Sequence, residues 1–102
     1  MKAATITFSK SDYAMAMRRR ELCIRWFCRA RQEGMNLAHV ITILFSGRNS
    51  DYATTRRILP SMEKEKAWQT CVQFIPTTSK DIRWIDRLQL PEHCELKWEE
   101  VA

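Results

Sequence analysis

A chain of 102 residues has the length of one domain, and residues 1–102 are read here as a single basic helical domain. Four Trp, four Phe, two Tyr and a 45% apolar content exclude a disordered chain, while a domain this small has no room for both a core and a deep substrate cavity. The formal charge of +5, from 17 basic and 12 acidic side chains, makes an acidic partner the first expectation, either nucleic acid or an acidic protein surface.

Residues Ala3 to Phe8 are β-branched and aromatic with weak alternation, which predicts a short strand. Ser9-Lys10-Ser11-Asp12 then reads as a helix opening, with Ser9 as cap, Asp12 in the reciprocal position and Ser11 as a competing cap. The first helix is expected to run to about Glu33 and to stop at Gly34 in the left-handed conformation. Its inward face is Tyr13, Ala16, Met17, Cys23, Ile24, Phe27 and Ala30.

This helix carries the most informative feature of the chain. Six arginines, Arg18, Arg19, Arg20, Arg25, Arg29 and Arg31, fall in fourteen positions. At 100° per residue Arg18, Arg25 and Arg29 lie within about 40° of one another, along roughly 16 Å of helix. Leu22 shares that stripe, Trp26 borders it and Arg19 flanks it. Arg20 and Arg31 point toward the apolar side and must snorkel, pair with an acid or reach a partner.

Asn36 is expected to cap a second helix, Leu37 to Ser46, with Gly47 ending it. A third helix, Asp51 to Leu59, ends at Pro60, and a fourth, Met62 to Ile75, packs Ala67, Trp68, Cys71, Val72 and Ile75 inward before Pro76. Thr78-Ser79-Lys80-Asp81 opens a fifth, about Ser79 to Leu90, with Ile82, Ile85, Leu88 and Gln89 on one side and Lys80, Arg83, Trp84 and Arg87 on another. Cys94 to Trp98 alternates with period two and reads as a strand that would pair with Ala3 to Phe8. The fold class that follows is mainly α, a small bundle of four to five helices with a two-stranded ribbon joining the termini. In the plainer alternative both ends are extended loops. The identical tetrapeptides at 11–14 and 50–53 are accounted for by helix openings without invoking a duplication.

Several constellations compete for function. A helix-turn-helix would use Leu37 to Ser46 as support and Asp51 to Leu59 as the reading element, presenting Thr54, Thr55, Arg56 and Arg57 to DNA. The plainer reading makes Arg56 and Arg57 charges at a helix C-terminus. Lys80, Arg83 and Arg87 with Trp84 form a second basic patch, suited to stacking a base of RNA or DNA or to anchoring a protein interface. Four tryptophans exceed what one compact core hides, so Trp26 or Trp84 is expected to be partly exposed or covered by a partner.

Cys23, Cys28, Cys71 and Cys94 come with no signal-peptide pattern and read as reduced thiols of a soluble, cytoplasmic chain. The nine-residue apolar run Leu37 to Phe45 is too short to span a membrane. His39 and His93 are far apart, the cysteines lack zinc-ligand spacing, and neither glycine belongs to a phosphate loop. The glutamates read as solvated surface, so no cofactor, metal or catalytic activity is expected.

The leading expectation is a nucleic-acid-binding accessory protein without catalysis, touching phosphates through Arg18, Arg19, Arg25 and Arg29, helped by Arg56, Arg57, Arg83 and Arg87. The rival is an adaptor, regulator or inhibitor that binds a larger protein through the same arginines with Trp26 and Trp84 as anchors. A homodimer pairing the basic helix with the acidic tail of its mate is a third possibility.

Overall fold

The first strand sets the frame. In a computed structural model that describes residues 1–45, the backbone of 48–50, and residues 67–101, the elements are β1 (Lys2–Phe8), α1 (Tyr13–Gln32), β2 (Ala38–Phe45), β3 (Arg48–Ser50), β4 (Trp68–Ile75), α2 (Ser79–Asp86) and β5 (Cys94–Glu100). The strands form one sheet in the order β3-β2-β4-β1-β5, with every neighbouring pair antiparallel. β4 lies between β1 and β2, and β1 lies between β4 and β5. Two split βαβ units are therefore interleaved, which is the ferredoxin-like topology.

The expectation of a four- to five-helix bundle is thus corrected: the fold is mixed α/β, two helices on a sheet of four long strands with short β3 at one edge. The helix predicted from Leu37 is replaced over Ala38–Phe45 by β2. Val40, Ile41, Thr42 and Ile43 are four β-branched residues in a row, stiff at χ1 and suited to a pleated surface. The helical reading grouped Val40 and Leu44 with Ile41. In β2 they lie on opposite faces, so Ile43 is buried while Val40 is 55% exposed. The predicted fourth helix fails for a plainer reason. Trp68, Thr70, Val72 and Phe74 are all buried and alternate with half-exposed Gln69, Cys71, Gln73 and Ile75, a period of two. The third helix and residues 62–66 lie outside the described residues.

The terminal ribbon exists, with Ala4 opposite Trp98, Ile6 opposite Leu96 and Phe8 opposite Cys94, but as part of the larger sheet. β4 pairs with the other side of β1, which gives the ribbon the support that an isolated hairpin lacks.

α1 follows the predicted span. Its cap is Asp12, whose Oδ1 accepts from the Met15 backbone N–H at 2.9 Å, so neither Ser9 nor Ser11 caps it. Ser9 is occupied elsewhere: its N–H donates to the His93 carbonyl at 3.0 Å, and its own carbonyl accepts from Arg19. Gly34 takes φ 79° as expected, and the Met35 N–H closes the turn on the Ala30 carbonyl. α2 opens with a full capping box between Thr78 and Asp81 but ends at Asp86, a turn earlier than Leu90.

Both helices pack on one face of the sheet. Ala4, Ile6 and Phe8 of β1, Val72 and Phe74 of β4, Cys23, Trp26 and Ala30 of α1, and Ile85 of α2 make one continuous core. A second cluster, Ala16, Ile43 and Trp68, closes the other end against Tyr13, Met17 and Phe45. There Thr70 Oγ1, fully buried, donates to the Ala16 carbonyl at 3.0 Å and ties β4 to α1. The small residues of α1, Ala16, Cys23 and Ala30, let the helix approach the sheet. The arginines are thereby left to its flanks.

Candidate functional site

Four of the six α1 arginines, Arg18, Arg25, Arg29 and Arg31, lie on the outside of the molecule. Arg18, Arg25 and Arg29 are exposed, and among the described residues no carboxylate lies within ion-pairing distance of them. Arg18 touches its neighbour Met15, Nη2 to Sδ 3.7 Å.

Arg19, expected at the site, is a brace. It is half-buried, donates to the Ser9 carbonyl and to Ser11 Oγ (3.3 Å), and lies over the Phe8 ring at 5.3 Å. This holds the β1–α1 connection to the helix. Arg31 resolves its misfit by lying over the Phe27 ring at 5.8 Å. Phe27 in turn stacks on His39 with ring centroids 3.7 Å apart. Burial holds the His39 imidazole below its ordinary pKa.

The predicted α2 patch joins the α1 stripe. A groove of about 460 Å³ is lined by Trp26, Arg29 and Glu33 from α1 and by Trp84, Arg87, Leu88 and Gln89 from α2 and the turn after it. A smaller neighbour of about 270 Å³ adds Lys80 and Arg83 to Glu33, Met35, Trp84 and Arg87. Lys80 Nζ donates to the Glu33 carbonyl at 3.0 Å, linking the start of α2 to the end of α1. The two basic patches thus converge on one face.

The two indoles differ in depth. Trp26 is 6% exposed and stacks with Phe8 at 6.3 Å, so of the two candidates for partial exposure it is the core residue, lining the groove from below. Trp84 is half-buried, its ring edge-on to Phe74 at 6.3 Å, and offers the rest of its indole to the groove. Asp81 beneath it is only 1% exposed and accepts from Thr77 and Thr78. Burial pushes this carboxyl up, but the bonds from Thr77 and Thr78 outweigh it, and its pKa lies below the usual value.

Sequence reasoning missed a second groove of about 460 Å³ along the first half of α1. Phe8, Met15, Leu22 and Pro91 supply its apolar lining, and Arg18, Arg19, Arg25, Glu92 and His93 surround them. His93 takes φ 61° in the turn that leads into β5. Only the fold brings residues 91–93 to α1. Arg56 and Arg57 lie outside the described residues, and with Ala38–Phe45 a strand the helix-turn-helix loses its supporting element.

Burial, with smaller contributions from Cys94 and Cys71, pushes the Cys23 thiol up to about 12. Burial also pushes Cys94 up to about 11, against the pull of Arg19 and with Glu95 reinforcing it. Neither thiol is a ready thiolate near neutral pH. Among the described residues no three His, Cys, Asp or Glu side chains gather as a ligand set, and no helix is long and apolar enough to cross a membrane. The sheet face away from the helices carries Thr5, Thr7, Val40, Thr42, Cys71 and Gln73, and among the described residues no aromatic ring.

Compared with protein-family models, curated proteins and solved structures, the chain matches none.

Proposed function

We propose that the chain is a small adaptor that docks on an acidic segment of a larger protein through the face shared by α1 and α2. The observation that carries this reading is the convergence of Arg29, Trp84 and Arg87 on one groove, although they come from two helices far apart in the sequence. Trp and Arg are the side chains that most often anchor protein interfaces. The acids support a protein ligand over a phosphate backbone, because Glu33 lines one groove and Glu92 the other. A polyanion with evenly spaced charge meets repulsion at both, whereas a peptide places its carboxylates selectively. The open sheet face, bare of rings among the described residues, offers no platform on which bases stack.

The test is fluorescence anisotropy with a labelled acidic peptide containing one Phe, run beside duplex DNA, single-stranded DNA and RNA from 50 to 300 mM salt. Peptide binding that survives salt and weakens more than tenfold in Trp84→Ala supports docking. Binding of nucleic acid alone, falling by orders of magnitude across that range, overturns it.

A further inference from the structure

The arginine stripe of α1 is interleaved with apolar side chains. Met15, Arg18, Leu22, Arg25 and Arg29 follow one another at steps of three, four, three and four residues. That alternation is the heptad spacing by which one helix presents a seam to another. It spans about 21 Å of axis. Met15 and Leu22 are half-buried, the three arginines are exposed, and Arg25 and Arg29 form an i,i+4 pair of like charge with no ion pair to either among the described residues. The seam borders both large grooves, with Phe8, Pro91 and His93 facing its first half and Trp84, Arg87 and Leu88 its second.

We infer that the segment this face takes is an amphipathic acidic helix of about four turns, laid along α1 with apolar side chains on Met15 and Leu22 and carboxylates on Arg18, Arg25 and Arg29. The inference rests on the docking reading above and specifies the partner within it. Charge selects the occupant. A second copy that offered its own α1 would set arginine against arginine, and the acidic residues Glu95, Glu99 and Glu100 are already held in β5. Periodicity selects the conformation. The seam advances about 5 Å per contact, in step with a helix laid beside it. A strand presents a side chain to one face only about every 6.6 Å and drifts out of register within two contacts.

The experiment uses the full chain and three synthetic 21-residue peptides at 150 mM salt. The first sets Leu and Glu at alternating three- and four-residue steps in an Ala/Gln frame, the second scrambles that composition, and the third replaces each Glu by Lys. The ordered acidic peptide is expected to bind at least tenfold more tightly than the scrambled one and to gain helical circular dichroism on binding. Met15→Glu and Leu22→Glu each weaken it tenfold or more. The exposed pair Arg18→Glu/Arg25→Glu loses the acidic peptide and gains the lysine one, a swap that misfolding does not imitate. Equal binding of ordered and scrambled peptides overturns the helical partner while leaving the Trp84-dependent docking face standing. If the wild type binds neither these peptides nor the Phe-containing acidic peptide, but binds DNA or RNA through Arg18 and Arg25, both readings fall.

Discussion

Asp81 is the side chain on which the second helix, and with it the Trp84 wall of the groove, is most dependent. Its Oδ2 accepts from the Thr77 N–H at 2.9 Å, the Thr77 hydroxyl at 3.0 Å and the Thr78 N–H at 3.1 Å. Its own N–H donates in return to Thr78 Oγ1 at 3.3 Å. Asp81→Ala removes these three bonds to a charged acceptor, the reciprocal half of the capping box among them, while Thr78 Oγ1 still accepts from the backbone N–H of residue 81. Thr77 and Thr78 are exposed, so water recovers much of those, and the expected total is about 2 kcal/mol. For a domain of this size that lowers Tm by roughly 8–16 °C. The carboxyl titrates lower in the folded chain than in the unfolded one, so its contribution is complete above the ordinary Asp value and disappears as pH falls through the depressed folded value. Urea unfolding followed by tryptophan fluorescence at pH 7 and pH 2.5 reads both effects. A wild-type-minus-variant gap below about 0.5 kcal/mol at pH 7, less than one such bond contributes, would refute the argument. So would a gap of equal size at both pH values.

Two further substitutions probe the fold that carries the site. At Gly34 an added Cβ meets nothing within 4 Å, so Gly34→Ala should cost only its left-handed backbone, about 1 kcal/mol, and Gly34→Asn less; a denaturation midpoint showing a loss of roughly 3 kcal/mol would mean a contact is involved. Burial lowers the His39 pKa, so the unfolded chain takes up its proton first, and stability present above about pH 6.5 is lost as pH falls toward the folded value. Between pH 7.5 and 5.5 the unfolding midpoint of the wild type should drop more than that of His39→Phe, which keeps a ring against Phe27.

The sequence and the structure agree where local signals were strong and unopposed. α1 was legible because its apolar residues recur at helical spacing over many turns, Gly34 ends it, and an acid stands at its start. α2 was legible from Thr78 and Asp81, and the terminal strands from their alternation. The middle of the chain was misread where two periods fit the same residues. Leu37, Val40, Ile41 and Leu44 satisfy a helix on paper, while the β-branched run and the Trp68-to-Phe74 alternation favour strands. What decides is pairing within a shared sheet with one face buried under the helices: β2 and β4 pair along their whole lengths.

The stripe of Arg18, Arg25 and Arg29 was fixed by helical geometry alone, because residues three, four and seven apart share a face in any helix that forms. Which arginines are free of the fold was not. Arg19 was turned into a brace by the arrival of Phe8 and Ser9 from β1, and Trp26 was drawn under the core by the same strand. Likewise the walls that make grooves of the stripe, Trp84 to Leu88 and Pro91 to His93, reach α1 only because β5 returns to pair with β1. Chain order sets the side chains along one helix, but a groove needs two elements, and only the packed sheet brings the second one alongside.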